Sequence, residues 1–503
     1  MISNAVSPER VASVVGYNFT AGDFRTTSPN LPQRIAILAE GNVANQATMP
    51  IDPVDITSAA QAGALFGYGS PVHRIMSILR PYNSDGVGGI PTVVYAQLEA
   101  GSSAARVQTI TVTGTATSSG THYVRVAGRT SVDGSVYAVN IANGDTPTII
   151  AGKIKDAIQS VLGSPITATN ALGVVTATTK WKGLTSQSVS IEMDTNSINA
   201  GVTYAIAQTT AGSGTPDISA SLNKFGSAWN TIVVSGYGTE STVLNALESY
   251  NGVPNPSAPT GRYQGIVMKP FIALIGSIDE NPSSITDTRK SQVTIAVCPA
   301  PFSKAQPLEG AANMALLFAR VSQDTPHLDV QDLYYNDMPG PTLIGAMADY
   351  NERDAIVKKG CSTVDLSNES YQVKDLTTYH PEGELPPQYR YCRNLMIDFN
   401  IRYGYYLLEQ MHVKGHAIAG DNDIVTASKV IKPKQWKAIL KSYAEDLGKR
   451  GLIADVSFMQ NNIQVGLSTT NPDRLETSFK YKRTGYGRIL STTAQAGFNF
   501  GTN

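Results

Sequence analysis

Leu475 to Gln495 reads LETSFKYKRTGYGRILSTTAQ, and its first eight residues alternate strictly. Leu475, Thr477, Phe479 and Tyr481 share one side, and Glu476, Ser478, Lys480 and Lys482 share the other, the period of a β-strand with one face buried. Thr484, Gly485, Tyr486 and Gly487 then mark a turn. Beyond it Arg488, Ile489 and Leu490 restart an extended run that trails into Gly497, Phe498, Asn499 and Phe500. Chain ends are ordinarily polar and frayed, whereas this one keeps Ile489, Leu490, Phe498 and Phe500. Such a segment either folds back on its own domain or leaves to complete a neighbour's sheet by strand addition. On the polar side, Lys480 and Lys482, with Arg483 and Arg488 just beyond, are candidates for contact with an acidic partner.

Working outward, the preceding hundred residues read as one α+β domain. PEGELPP at Pro381–Pro387 is a linker, and the helix Tyr391–Gln410 that follows carries Leu395, Phe399, Tyr403, Tyr406 and Leu407 as a broad apolar stripe. A second helix starts at Pro433, the favoured first position, and places Trp436, Ile439, Leu440, Tyr443 and Leu447 at helical spacing, with Lys441 and Glu445 paired outside. Strands are expected at Ile453–Phe458 and Ile463–Leu467, and with the strand at Leu475 they make a three-stranded sheet whose edges can be stitched to other subunits. From Tyr391 onward there are 15 Lys or Arg against 9 Asp or Glu, so this module is +6 while the other 390 residues carry −7 of the overall −1.

The middle of the chain has α/β character. IAILAEG from Ile35 is a buried strand; helices follow through Ala59–Leu65, with Asp55 and Thr57 as caps, and through Val72–Leu79; PTVVYAQL from Pro91 is another strand. After Asn230 the pattern resumes with TIVVSG, a helix over Thr239–Tyr250, FIALIG, SQVTIAVCP, a helix over Gly310–Val321, a helix holding Glu352, Arg353 and Asp354, and a hairpin of Cys361–Leu366 with Tyr371–Thr377. Between the two halves, Gly101–Thr210 changes register: 31 of its 110 residues are Ser or Thr and 12 are charged. Short β-like runs at Val107–Thr115, His122–Ala127 and Ser135–Ile141, with one helix near Ile150–Leu162, predict an inserted, mostly-β domain.

At 503 residues the chain exceeds a single core and is read as about three domains. Charge is sparse at 16%, which gives no indication of a nucleic-acid or membrane partner. Cys298, Cys361 and Cys392 are few and widely spaced, as for reduced thiols in a cytoplasm. No run suggests a signal peptide or a bilayer span.

Motifs that could carry chemistry are incomplete. Gly236, Gly238 and Ser241 in SGYGTES follow a strand and precede a helix, but the third glycine and the ribose-binding acid of a dinucleotide fingerprint are missing. His412 and His416 are four apart, yet Gly415 interrupts the helix and the general-base Glu is absent. Asp421 and Asp423 start like a calcium loop that Thr426 and Lys432 fail to finish. No His-Gly-Thr, Gly-Thr-Ser or GxSxG setting supports a serine hydrolase. No catalytic, cofactor or metal residue is assigned, and the protein is read as a non-enzyme.

Three stretches carry a family resemblance: KYKRTGYGRIL from Lys480, LFGYGSPVHRIMSIL at Leu65–Leu79, and RYCRNLMIDFNIRYGYYLLEQ at Arg390–Gln410. Together they resemble the tail sheath proteins of contractile-tailed bacteriophages, in particular the Mu-like branch. The resemblance covers most of the chain outside the interior of Gly101–Thr210. It implies a subtilisin-like α/β sheath core over residues 23–100 and 211–386, an outer inserted β domain over 101–210, an inner α+β domain over 387–487, and arms at 1–22 and 488–503. In such a protein Val11, Val14, Val15 and Tyr17, with Ile489, Leu490 and Phe498, join neighbouring subunits, while Lys480, Lys482, Arg483 and Arg488 face the tube. The implied partners are further copies in stacked hexameric rings, a tail tube, and baseplate and tail terminator proteins. The implied location is the virion, after synthesis in host cytoplasm. The sheath of a bacteriocin or type VI secretion machine, and more distantly a cytosolic α/β hydrolase, are the alternatives.

Overall fold

The computed structural model describes residues 29–128, 136–255, 257–289, 292–379, 389–494 and 496. The expected arm residues Val11, Val14, Val15, Tyr17 and Phe498, and the linker Pro381–Pro387, lie outside this set. The described residues form two compact units, one within 31–400 with 486–496 and one of residues 29–30 with 401–485. It is a mixed α/β, multi-sheet protein.

The larger unit is built on a six-stranded sheet ordered Ile295–Pro299, Ile272–Ser277, Ile232–Ser235, Ile35–Leu38, Thr92–Val94, Val54–Asp55. All neighbours run parallel except the last pair. Parallel strands are covered on both faces, so they read as continuous apolar runs rather than alternations. Ile35–Leu38, Ile272–Ser277 and Ile295–Pro299 are accordingly buried at every position. On one face Ile218, Leu222, Phe225, Val243, Leu244 and Leu247 cover the sheet; the helices Pro71–Leu79 and Pro307–Asp324 pack with each other, the latter also against the strands.

Local chemistry sets most helix starts. Ser58, rather than Asp55 or Thr57, caps the helix Ala59–Phe66 by accepting from Gln61 N, while Asp55 lies in the edge strand. Glu240 caps Ser241–Asn251. Asp349 and Glu352 form a reciprocal capping box on Tyr350–Lys358. The hairpin is present as Thr363–Ser367 with Ser370–Asp375.

Between the Thr92–Val94 strand and the Ile232–Ser235 strand, the chain enters and leaves a β-rich region at a bridge between Ala104 and Ser213. Its four-stranded antiparallel sheet runs Thr203–Thr210, Val107–Thr113, Val174–Thr179, Ile166–Ala171. A three-stranded sheet, Val136–Ile141, Gly120–Val126, Ile191–Asp194, and the helix Pro147–Gln159 complete it. Among the described residues, the buried apolar core between them is drawn from Ile110 to Val202, with Tyr204 packed against it.

The smaller unit holds the second half of the helix Cys392–His412, the helix Pro433–Lys449 and several short strands. Trp436, Leu440, Ile431 and Ile463 form its buried centre, flanked by Tyr405, Leu475 and Phe479. Gly404 lets Tyr443 approach closely enough to donate to the Ile401 carbonyl at 2.7 Å. A Cβ at position 404 would stand 2.5 Å from the Tyr443 hydroxyl.

Three expectations for this unit are corrected. Only Ile453–Ala454 is strand; Val456–Asn461 is a short helix, because Asp455 at φ 56 turns the chain and its carboxylate accepts from Phe458 N at 3.0 Å. The expected three-stranded sheet is two separate pairs, Gln464–Leu467 with Leu475–Ser478 and Ile453–Ala454 with Lys482–Arg483. The Lys441–Glu445 pairing is replaced by donation from Gln460 Nε2 to Glu445 at 3.1 Å.

Candidate assembly interface

The candidate residues fall in two stretches, 475–485 in the smaller unit and 486–490 in the larger. Alternation holds through Arg483: Leu475, Thr477, Phe479, Tyr481 and Arg483 are half-buried, while Glu476, Ser478, Lys480 and Lys482 are exposed. The inner face is fixed by aromatic contacts of Phe479 with Tyr405 and Tyr481, and by Trp436 Nε1, which donates to Thr477 Oγ1 at 3.0 Å. Burial pushes the Tyr405 phenol up to about 12, so it stays a neutral member of this aromatic group.

The candidate cations divide by environment. Lys480 is exposed. Lys482 is also exposed, but its ammonium lies 2.6 Å from Asp455 and 4.4 Å from the centre of the Phe458 ring. The Lys482 ammonium holds the Asp455 carboxyl below its ordinary range, helped by the Phe458 N–H. Arg483 belongs to the opposite face and stacks on Tyr481.

Arg488 differs from the expectation of a surface charge. Its side chain is 12% exposed, bonded to Asp329 and 3.4 Å from Asp375, with Asp329 itself 1% exposed. The guanidinium lies 3.9 Å from the centre of the Tyr391 ring and 5.1 Å from that of Tyr486. Arg393 stacks on the other partner of this group, Tyr486, and donates to the His327 carbonyl. A cation so enclosed does not present its charge to another molecule; it pins the chain. One residue later the environment reverses, with Ile489 85% and Leu490 86% exposed. Asp329, Asp375 and Tyr391 are the partners that sequence reading missed; no spacing connects them to Arg488.

The other motifs take structural roles. Gly236, Tyr237, Gly238, Thr239 and Glu240 line a cavity of about 220 Å³ with Ser277 and Asp279. Its lining contains carboxylates and no Lys or Arg, a poor match for phosphate. Asp421 accepts from Lys434 N at 2.8 Å and Asp423 from Gly420 N at 2.6 Å, which ties the loop to the helix after it. His412 ends its helix, Gly415 turns the chain at φ +75, and no cluster of three potential metal ligands occurs among the described residues. Nor is any helix of the described residues long and apolar enough to cross a membrane.

No protein-family model matches the chain. The Mu-like prophage FluMu tail sheath protein of Haemophilus influenzae is 24% identical over 432 residues, spanning 84% of this chain and 85% of that one. This chain is a homologue of a Mu-like tail sheath protein. The match extends over most of both sequences. Among solved structures, the sheath tail protein from Desulfitobacterium hafniense aligns over 93% of this chain and 100% of its own, at a TM-score of 0.44 and 10% identity.

Proposed function

We propose that the chain is the structural subunit of a contractile phage tail sheath, assembling as stacked hexameric rings around a tail tube and shortening to drive the tube through a host envelope. The observation that carries this reading is the break at Arg488: a pinned, buried cation followed at once by two large apolar side chains left in solvent. Ile489 and Leu490 leave unsatisfied apolar surface that a neighbouring copy covers. Residues 488–503 are the outgoing arm and residues 1–22, with Val11, Val14, Val15 and Tyr17, the second one. Each backbone hydrogen bond in an added strand contributes about 0.5–1.5 kcal/mol net, so several bonds per arm hold rings together. Head-to-tail contacts of this kind generate rings or helical polymers rather than closed pairs.

In this reading residues 23–100 and 211–386 are a middle domain of subtilisin-like type, 101–210 face outward, and 387–487 face the tube through Lys480 and Lys482, while Arg483 stays on the inner face. Baseplate and terminator proteins bound the polymer, and the mature location is the virion. The test is negative-stain microscopy of the purified protein, with and without residues 489–503. Hollow striated tubes that vanish on truncation support the proposal; a truncated chain that still forms tubes refutes the role of this arm.

A further inference from the structure

Where the 104–213 region meets the parallel sheet, a carboxyl group is buried at the joint. Glu40 follows the Ile35–Leu38 strand, bridges Gln97 through its backbone, and is 2% exposed. Its carboxylate oxygen Oε2 accepts from Thr185 Oγ1 at 2.6 Å, and Thr185 in turn accepts from Trp181 Nε1 at 2.9 Å. Trp181 belongs to the buried core of the β-rich region. A continuous hydrogen-bonded chain therefore runs from that core, through the joint, to the sheet. Contact is close on the other carboxylate oxygen too: a Cβ at Gly183, whose φ is +121, would lie 2.6 Å from Oε1.

The charges around Glu40 come from every element that packs on it. Glu99, beyond the Thr92–Val94 strand, adds negative potential and is paired with Lys182 at 3.0 Å. Tyr237, beyond the Ile232–Ser235 strand, is buried, and its hydroxyl has no hydrogen-bond partner among the described residues. The helix Pro71–Leu79 donates Val72 N–H to the Glu40 carbonyl and brings His73, whose imidazole is pushed down to about 4 by burial and by Lys180 and so is neutral.

We propose that Glu40 is a proton-operated latch between the β-rich region and the sheet domain: the joint closes over a neutral carboxyl, and ionisation, which burial disfavours more than the Thr185 bond favours, loosens it. The proposal stands independently of the sheath reading. Its physical basis is that an ionised carboxylate is costly in a buried site. Burial, opposed in part by Thr185 and reinforced by Glu99, raises the Glu40 carboxyl to about 8 from an ordinary 4.5. A carboxyl with a raised folded value leaves the closed joint fully favoured below about pH 4.5. Its advantage declines as pH rises toward 8 and levels off above it.

The experiment is hydrogen exchange on the full chain, corrected for intrinsic exchange rates, comparing peptides over residues 180–190 with the β-rich core strand 174–179 as control. In the wild type, joint opening should rise about a hundredfold between about pH 6 and pH 9 and level off near pH 8, while the control stays protected. In Glu40→Gln the rise should disappear. In Thr185→Val, which removes a bond that favours the ionised form, levelling off should move to higher pH. A wild type without the rise, or a Glu40→Gln variant that keeps it, overturns the latch. Should Glu40→Gln fail to fold, an unmoved profile in Thr185→Val overturns it alone.

Discussion

Replacing Arg488 by Met tests the pin from which the arm departs. The substitution keeps the unbranched aliphatic stem and removes the guanidinium from between Asp329, Asp375, Tyr391 and Tyr486. Asp375 is 24% exposed and can draw on water, but Asp329 is 1% exposed and, among the described residues, keeps the adjacent Val330 N–H at 2.7 Å and the nearby charge of Arg393. Removing one partner of a buried ion pair costs about 3–5 kcal/mol, because the other charge is left uncompensated. Water reaching Asp329 when the segment detaches caps the loss, so about 3 kcal/mol is expected, roughly a hundredfold or more in the unfolding equilibrium. Denaturant titration of purified wild type and variant measures it. Adding Asp329→Asn should recover most of the loss, since the orphaned charge is then gone. Arg488→Met at wild-type stability, or a double variant weaker than the single one, would refute the assignment of Arg488 as a buried pin.

Two further outcomes follow from the same geometry. Lys480→Glu with Lys482→Glu should leave the melting temperature unchanged, since both side chains are exposed and the Lys482–Asp455 pair is a surface one. Co-sedimentation with purified tube should fall, most visibly at low salt; unchanged co-sedimentation rejects the tube-facing proposal. Replacing Ser102–Thr209 by a short Gly/Ser linker should preserve the far-ultraviolet signature of the sheet domain and its assembly into tubes, because the β-rich core is internal to Ile110–Val202; tubes lost from a folded variant would place that region in the subunit contact.

How much was legible in the sequence depended on the range of the interaction that decided each element. Ile35–Leu38 and Ile232–Ser235 were readable because parallel strands buried on both sides are written as apolar runs. Leu475–Lys482 was readable as an alternation, and that alternation describes its exposure in the fold. Val456–Asn461 was not, since Val-Ser-Phe-Met-Gln-Asn is too short to show a helical period; the one local signal was Asp455 three residues before Phe458, a cap. The Arg488 pin was illegible for a different reason. Its partners lie 159 and 113 residues away, and only the fold brings them together. Glu40 likewise read as the polar end of a strand, and only the return of Thr185 from 145 residues away buries it at a joint.

The central claim is that this homologue of a tail sheath protein assembles through its apolar arm. Negative-stain microscopy of the full chain beside a chain ending at Arg488 addresses it directly, because the truncation keeps the buried ion pair and removes only Ile489 onward. The account predicts long hollow striated tubes from the full chain and folded, unassembled subunits from the shortened one. Tubes of equal length from both, or none from the full chain under any condition that keeps it folded, would contradict it.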